Sequence, residues 1–120
     1  MAPPNNTVGI GVQMEVCDGA SIQQWSRAGN ATLELRLGSD PKMCLEVAGS
    51  GNGSPVRINL CSGQIGQQWF YDDKEMLRAG IAPNRCMAIP PSQPGVGGGV
   101  IIYDCLDTAA NYKWYTGLAP

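Results

Sequence analysis

An all-β fold made of one supersecondary unit written three times is what this sequence predicts. Cys17, Cys61 and Cys105 stand 44 residues apart, and each is followed eight or nine residues later by one of only three tryptophans, Trp25, Trp69 and Trp114. A fixed period of this length marks a repeat architecture. Glycine and proline supply 16 and 9 of the 120 residues, and charged residues only 15%. That balance suits many short strands joined by turns. No segment keeps helical periodicity over three turns.

The strand before each cysteine is the most regular element. At a lag of 44, Val12, Val56 and Val100 coincide, as do Met14, Ile58 and Ile102, with mostly polar or amphipathic residues between them. Alternation at period two marks a half-buried strand. A small polar turn follows each of the first two cysteines, Asp18-Gly19-Ala20 and Ser62-Gly63-Gln64. Next comes a short strand carrying Gln-x-Trp at Gln23–Trp25 and Gln67–Trp69, degenerate at Tyr112–Trp114. The other half of the unit occurs twice. Ala31–Leu37 reads as a strand, Gly38–Pro41 as a turn and Lys42–Val47 as a strand; then Glu75–Ile81, a turn at Ala82–Asn84, and Arg85–Ile89. The glycine-rich stretches Gly49–Ser54 and Gly95–Gly99 read as hairpin loops, since neither opens a helix as a phosphate cradle does.

A full unit thus has four strands and the chain holds ten rather than twelve, the first two missing. The counterpart of Cys44 in the first unit falls at position 0, just before Met1. The expected organisation is one domain over 1–120, with a partial unit at 1–25 and full units at 26–71 and 72–120. Cys44–Cys61 and Cys86–Cys105 flank loops within the full units, and bridges there stabilise by roughly 3 kcal/mol each on the chain-entropy model. Cys17 is left as an unpaired thiol, expected to be buried and inert rather than an intermolecular link.

Net charge of −2 gives no attraction for nucleic acid. No apolar run reaches the roughly 20 residues that span a bilayer. Histidine is absent, which removes the commonest general base and zinc ligand. Five cysteines without Cys-x-x-Cys spacing point to structural disulfides in an oxidising compartment and away from metal. Met1–Gly9 lacks the features of a signal peptide. Sequons at Asn5, Asn30 and Asn52 fit a secreted protein.

Three copies of a Cys-then-Gln-x-Trp unit, with Cys-Leu-Glu-Val at Cys44–Val47 and Cys-Met-Ala-Ile at Cys86–Ile89, resemble the ricin B-type lectin family over about Val8 to Tyr115. The resemblance implies a β-trefoil: six hairpins about a pseudo-threefold axis, with Trp25, Trp69 and Trp114 in the core. It also implies one shallow sugar pocket per unit. Such a pocket has a carboxylate two residues after the first cysteine and an aromatic two residues before the second. A Gln stands two residues before that aromatic, and an Asn directly before the Gln of Gln-x-Trp. Hydrogen bonds to the hydroxyls give specificity and the stacked ring buries the sugar's apolar face.

Carried over position by position, the pattern is incomplete everywhere. The second unit offers Glu46 for the acid, with Asn59, Arg57 and Gly66 in the other places; Glu46 and Arg57 also read as a surface ion pair. The third keeps Tyr103 and Asn111, with Asp104 beside them, but has Ala88 for the acid and Ile101 for the Gln. The first retains Gln13, with Glu15 for the aromatic and Ile22 for the Asn, and its acid strand is missing.

The expected function is a non-catalytic carbohydrate-binding module, recognising galactose-like or related glycans or glycoproteins weakly and needing no cofactor. The alternative is a trefoil scaffold that has lost sugar binding and serves protein–protein contact. Asp72-Asp73-Lys74-Glu75 reads as a solvated turn rather than a catalytic acid pair. The missing hairpin is expected to leave apolar core open near Val12, Met14 and Tyr112–Thr116. Such an edge invites a homodimer or a parent polypeptide supplying the missing strands.

Overall fold

The computed structural model describes residues 1–29, 33–90 and 97–106. Their strands are β1 Trp25–Ala28, β2 Glu34–Leu37, β3 Asp40–Val47, β4 Val56–Leu60, β5 Trp69–Tyr71, β6 Leu77–Ala79, β7 Ala82–Ala88 and β8 Ile101–Asp104. They form two antiparallel four-stranded meanders, β1-β2-β3-β4 and β5-β6-β7-β8, joined where Leu33 and Trp69 exchange backbone bonds at 2.8 and 2.9 Å. The described residues are all-β apart from two short 3-10 turns, Ser21–Gln23 and Ile65–Gln67.

The threefold period becomes a ring of backbone bonds at the centre. Bridges join Gly11 to Arg57, Pro55 to Ile101 and Gln13 to Gly99, three versions of one contact between successive units. The valines between them, Val12, Val56 and Val100, are buried with Ile58, Ile102 and Trp69 in one core. At the ring's rim, the N–H groups of Gly9, Gly53 and Gly97 donate to the carbonyls of Ile58, Ile102 and Met14 at 2.6–2.8 Å. All three glycines have φ between 84° and 88°, a region costly to any residue with a Cβ. Gly53→Ala is therefore expected to lower stability by about 1–2 kcal/mol. Gly51→Ala, at an equally open site without positive φ, should be neutral or mildly stabilising in the same urea titration.

The first unit is more complete than its strand count suggests. Ala2 and Gln13 exchange backbone bonds of 2.9 and 2.8 Å, in the register that joins Glu46 to Arg57 and Ala88 to Ile101. The indole of Trp25 donates to the Met1 carbonyl at 3.1 Å, as Trp69 donates to Leu45 at 3.1 Å. Met1–Pro3 thus stands where the end of the unit's second strand belongs. Val12, expected beside an open core, is buried, and so are Ala2 and Pro3.

Other expectations shift locally. Gln23 and Gln67 lie in 3-10 turns, so the strands begin at the tryptophans. Pro41 and Pro83 lie within β3 and β7, and residues Ala82–Asn84 are strand rather than turn. The chain reverses one step earlier because a bulge shifts the register between Arg78 and Ala79. Glu75, expected in a strand, instead has φ of 65°. Asp72 holds that turn: its Oδ1 accepts the N–H groups of Lys74 and Met76, and its Oδ2 accepts Arg78 Nε at 3.0 Å. The disulfides are Cys44–Cys61 and Cys86–Cys105, while Cys17 is free and, contrary to expectation, exposed. Trp69 is a core residue and Trp25 packs half-buried against that core. Trp114, Asn111 and Tyr112–Thr116 lie outside the described residues.

Candidate functional site

Gln13, Glu46 and Tyr103 lie in three different units, so they make three separate faces rather than one site. In the second and third units the strand before the second cysteine, β4 or β8, lies antiparallel beside the strand that bears the first, β3 or β7, and in the second unit the 3-10 turn Ile65–Gln67 follows.

In the second unit this arrangement is closed upon itself. Glu46 is 5% exposed. Its Oε1 accepts Arg57 Nε at 2.9 Å, Arg57 Nη2 at 2.8 Å and Asn59 Nδ2 at 3.2 Å. Its Oε2 accepts Gln67 Nε2 at 3.1 Å. Gln67, also buried, further donates to the Leu60 carbonyl and accepts the Ser62 N–H, both at 2.8 Å. Burial alone would raise the Glu46 pKa, but the bonds from Asn59, Arg57 and Gln67 and the charge of Arg57 outweigh it and hold it below the ordinary value. The expected surface ion pair is thus a buried carboxylate beneath a half-exposed arginine. At Gly66 a Cβ would meet the Val47 carbonyl at 2.7 Å, so this turn has no room for an asparagine side chain without moving.

The third unit holds its aromatic partly at the surface. Tyr103 is 45% exposed, opposite Cys86 in the ladder. Ala88, at the acid position, is buried with Met76 and Cys86 in a small second cluster. Strand alternation puts Asp104 on the other side of β8 from Tyr103. There Asp104 accepts Asn52 Nδ2 at 3.0 Å and stands 3.6 Å from Arg85 Nε. Arg85 in turn donates to Asn52 Oδ1 at 2.8 Å and to the Ser50 carbonyl at 3.0 Å. Tyr103 and Asp104, neighbours in sequence, therefore serve different faces. No sequence period announces this clamp, because Asn52 meets residues 33 and 52 positions away.

In the first unit Gln13 Nε2 donates to Glu15 Oε1, and Ala2 occupies the place of the acid. Gln23 repeats the scaffold role of Gln67, bonding Val16 and Asp18 at 2.8 and 3.0 Å. Ile22, at the position of Gly66, packs against the core. Glu34 approaches the Cys44–Cys61 sulfurs, but these are bonded to each other and offer no thiolate to a metal.

A family model for the ricin-type beta-trefoil lectin domain matches residues 1–114. The chain belongs to that family. Carbohydrate binding is thereby supported at the level of the family, and the two disulfides are consistent with an extracellular protein. A comparison with curated proteins gave no match. Among solved structures, a mosquitocidal holotoxin is similar at 12% identity and a TM-score of 0.84 over 94% of this chain. The chain spans only 15% of that toxin's length. A designed 3-fold symmetric protein, ThreeFoil, is 21% identical with a TM-score of 0.82, covering 92% of this chain and 85% of its own. These two likenesses show the β-trefoil fold alone. The Vibrio vulnificus hemolysin/cytolysin beta-trefoil lectin, whose structure has N-acetyl-D-lactosamine bound, is 25% identical with a TM-score of 0.62 over 73% of this chain and 64% of its own. For a ricin-type lectin domain the three faces differ sharply among the described residues: one is filled by its own side chains, one is occupied by a Gln–Glu pair, and one presents a half-exposed aromatic ring.

Proposed function

We propose that this ricin-type trefoil is a non-catalytic glycan-binding module of a secreted protein, and that it binds through the Tyr103 face of its third unit. The observation that carries the reading is the exposed Tyr103 ring at the position where the family pattern places the stacking aromatic. Asn111, at the hydrogen-bonding position, belongs to the same proposed site. Glu46 and Gln13 contribute little here, since their polar groups are engaged by Arg57, Asn59 and Gln67 or by Glu15. Asp104 acts on the neighbouring clamp rather than on the sugar. With Ala88 in place of the acid, the face lacks one charged acceptor, and losing such a group costs about 1–3 kcal/mol. Galactose-like ligands, including N-acetyllactosamine, are accordingly expected to bind weakly, with Kd near the millimolar range of about −4 kcal/mol.

Titration with N-acetyllactosamine and a glycan array test this reading. Tyr103→Ala is expected to abolish the response while leaving the thermal transition within about 1 kcal/mol of the parent, since nearly half of the residue is already in water. Retained binding in that variant would exclude the face. No response to any glycan would instead favour the second reading, a scaffold for protein contact, to which the self-occupied Glu46 face gives specific support.

A further inference from the structure

The two disulfides occupy equivalent places in their units but face opposite charges. Each joins a buried cysteine in the third strand of its meander, Cys44 or Cys86, to a half-buried one just past the fourth, Cys61 or Cys105. Arg36 and Arg78 stand opposite the buried cysteines in the β2–β3 and β6–β7 ladders, and each pairs with a carboxylate. The two ion pairs point in opposite directions. Arg36 Nη2 lies 3.4 Å from Glu34 Oε1, and the other oxygen, Glu34 Oε2, stands 3.5 Å from Cys44 Sγ. Arg78 gives its Nε to Asp72 Oδ2 at 3.0 Å, and turns Nη1 to the Pro83 carbonyl at 3.0 Å and to Cys105 Sγ at 3.7 Å. A carboxylate therefore flanks the first bond and a guanidinium the second. Asp104 lies on the other side of β8, held by Arg85 and Asn52. Lys42, two residues before Cys44, is exposed, so water screens its charge.

We infer that Cys86–Cys105 is a redox-labile latch on β8, opened by low-molecular-weight thiols that leave Cys44–Cys61 intact. Exchange begins when a thiolate attacks a disulfide sulfur that it can reach, and the burial of Cys44 and Cys86 leaves Cys61 and Cys105 as targets. At Cys105 the Arg78 guanidinium attracts the anionic attacker and stabilises the thiolate finally released there. At the other bond the departing Cys44 thiolate forms against the Glu34 carboxylate, which opposes it. With glutathione as reductant, one glutathione thiolate bonds to Cys105 Sγ as the Cys86–Cys105 bond breaks, and Cys86 leaves as a thiolate and takes up a proton. A second glutathione thiolate attacks the glutathione sulfur of this mixed disulfide and releases Cys105. The protein gains two electrons, and two glutathiones become one glutathione disulfide. What is unfastened is the end of β8 just beyond Tyr103, where the Cys105 N–H bond to the Asn84 carbonyl, 3.0 Å, continues the ladder to β7.

The test uses the full chain carrying Cys17→Ser, so that no free thiol exchanges with either bond. The folded protein is exposed to excess glutathione, samples are alkylated with iodoacetamide, and peptide mass mapping follows each bond in time. Cys86–Cys105 is expected to open about tenfold faster than Cys44–Cys61, the scale of effect that unit charges about 4 Å away exert at half-solvated sites. Arg78→Gln should slow the first bond, Arg78→Lys should restore it, and Glu34→Gln should speed the second. Hydrogen exchange at the Cys105 amide should quicken in the glutathione-treated protein. In urea, where neither charge is held beside its sulfur, the two bonds should open at similar rates. Equal rates in the folded chain, or earlier opening of Cys44–Cys61, would overturn the inference. So would a rate ratio that survives in urea or in both Arg78→Gln and Glu34→Gln.

Discussion

Glu46→Ala is expected to lower folding stability by about 2–4 kcal/mol, because it strips a buried acceptor from Arg57, Asn59 and Gln67 at once. Arg57 is half-exposed and can turn to water, which keeps the loss below that of a fully buried pair. Gln67 cannot turn, and retains only its Leu60 and Ser62 bonds. The same carboxylate makes stability depend on acid. Its folded pKa lies below the ordinary 4.5, so its contribution is complete above that value and is lost as pH falls through the lower folded one. Asp72 behaves alike: burial alone would raise its pKa, but the backbone bonds from Met76 and Lys74 and the Arg78 guanidinium hold it down. Urea midpoints measured from pH 6 to pH 2 should therefore fall less steeply in Glu46→Gln than in the parent, with a residual slope from Asp72. Identical slopes would mean that Glu46 is not held as the structure has it.

A cysteine inserted directly before Met1, behind a new initiating residue, is expected to bridge Cys17 and raise stability by about 3 kcal/mol. The register requires it. Met1 takes the indole of Trp25 as Leu45 takes that of Trp69, so the inserted residue falls where Cys44 stands in the second unit. The closed loop would match the 17-residue separation of Cys44 and Cys61. Thiol titration of the denatured protein should find no free thiol, against one in the parent. The same insertion combined with Cys17→Ser should return the urea midpoint to the parental value. Two free thiols and an unmoved midpoint would contradict the placement of Met1–Pro3.

Much of the fold was legible because the repeat is written in residues that backbone geometry demands. The cysteine and tryptophan spacing located the units, and the alternating valines located the central strands. Gly9, Gly53 and Gly97 carry the same period in positive φ, a signal present in the sequence but hidden among 16 glycines. The candidate faces were less legible. Glu46 and Arg57 sit 11 residues apart and read as surface charges; only the fold of the 3-10 turn at Ile65–Gln67 brings Gln67 over them and buries the acid. Asp104 adjoins Tyr103 in sequence, and only strand alternation puts the two on different sides of β8. β6 is shorter than the residue pattern suggests because Asp72, upstream of the strand, holds the turn that precedes it. Ala2 carries no strand signature at all, and its role follows only from pairing with Gln13.

The closed ring of central strands has a consequence for the order of assembly. Two of its three contacts, Gly11 to Arg57 and Pro55 to Ile101, join neighbouring units; the third joins Gln13 to Gly99, nearly twice as far along the chain. Doubling the span of a flexible loop adds only about 0.6 kcal/mol of closure entropy, so the third contact is barely harder to form than the others. All three are long-range, however, and non-local strand pairing slows folding far more than local pairing does. The ring therefore sets a kinetic bottleneck that no single unit can pass alone. The two meanders can form early, but the ring closes only when Gln13 reaches Gly99.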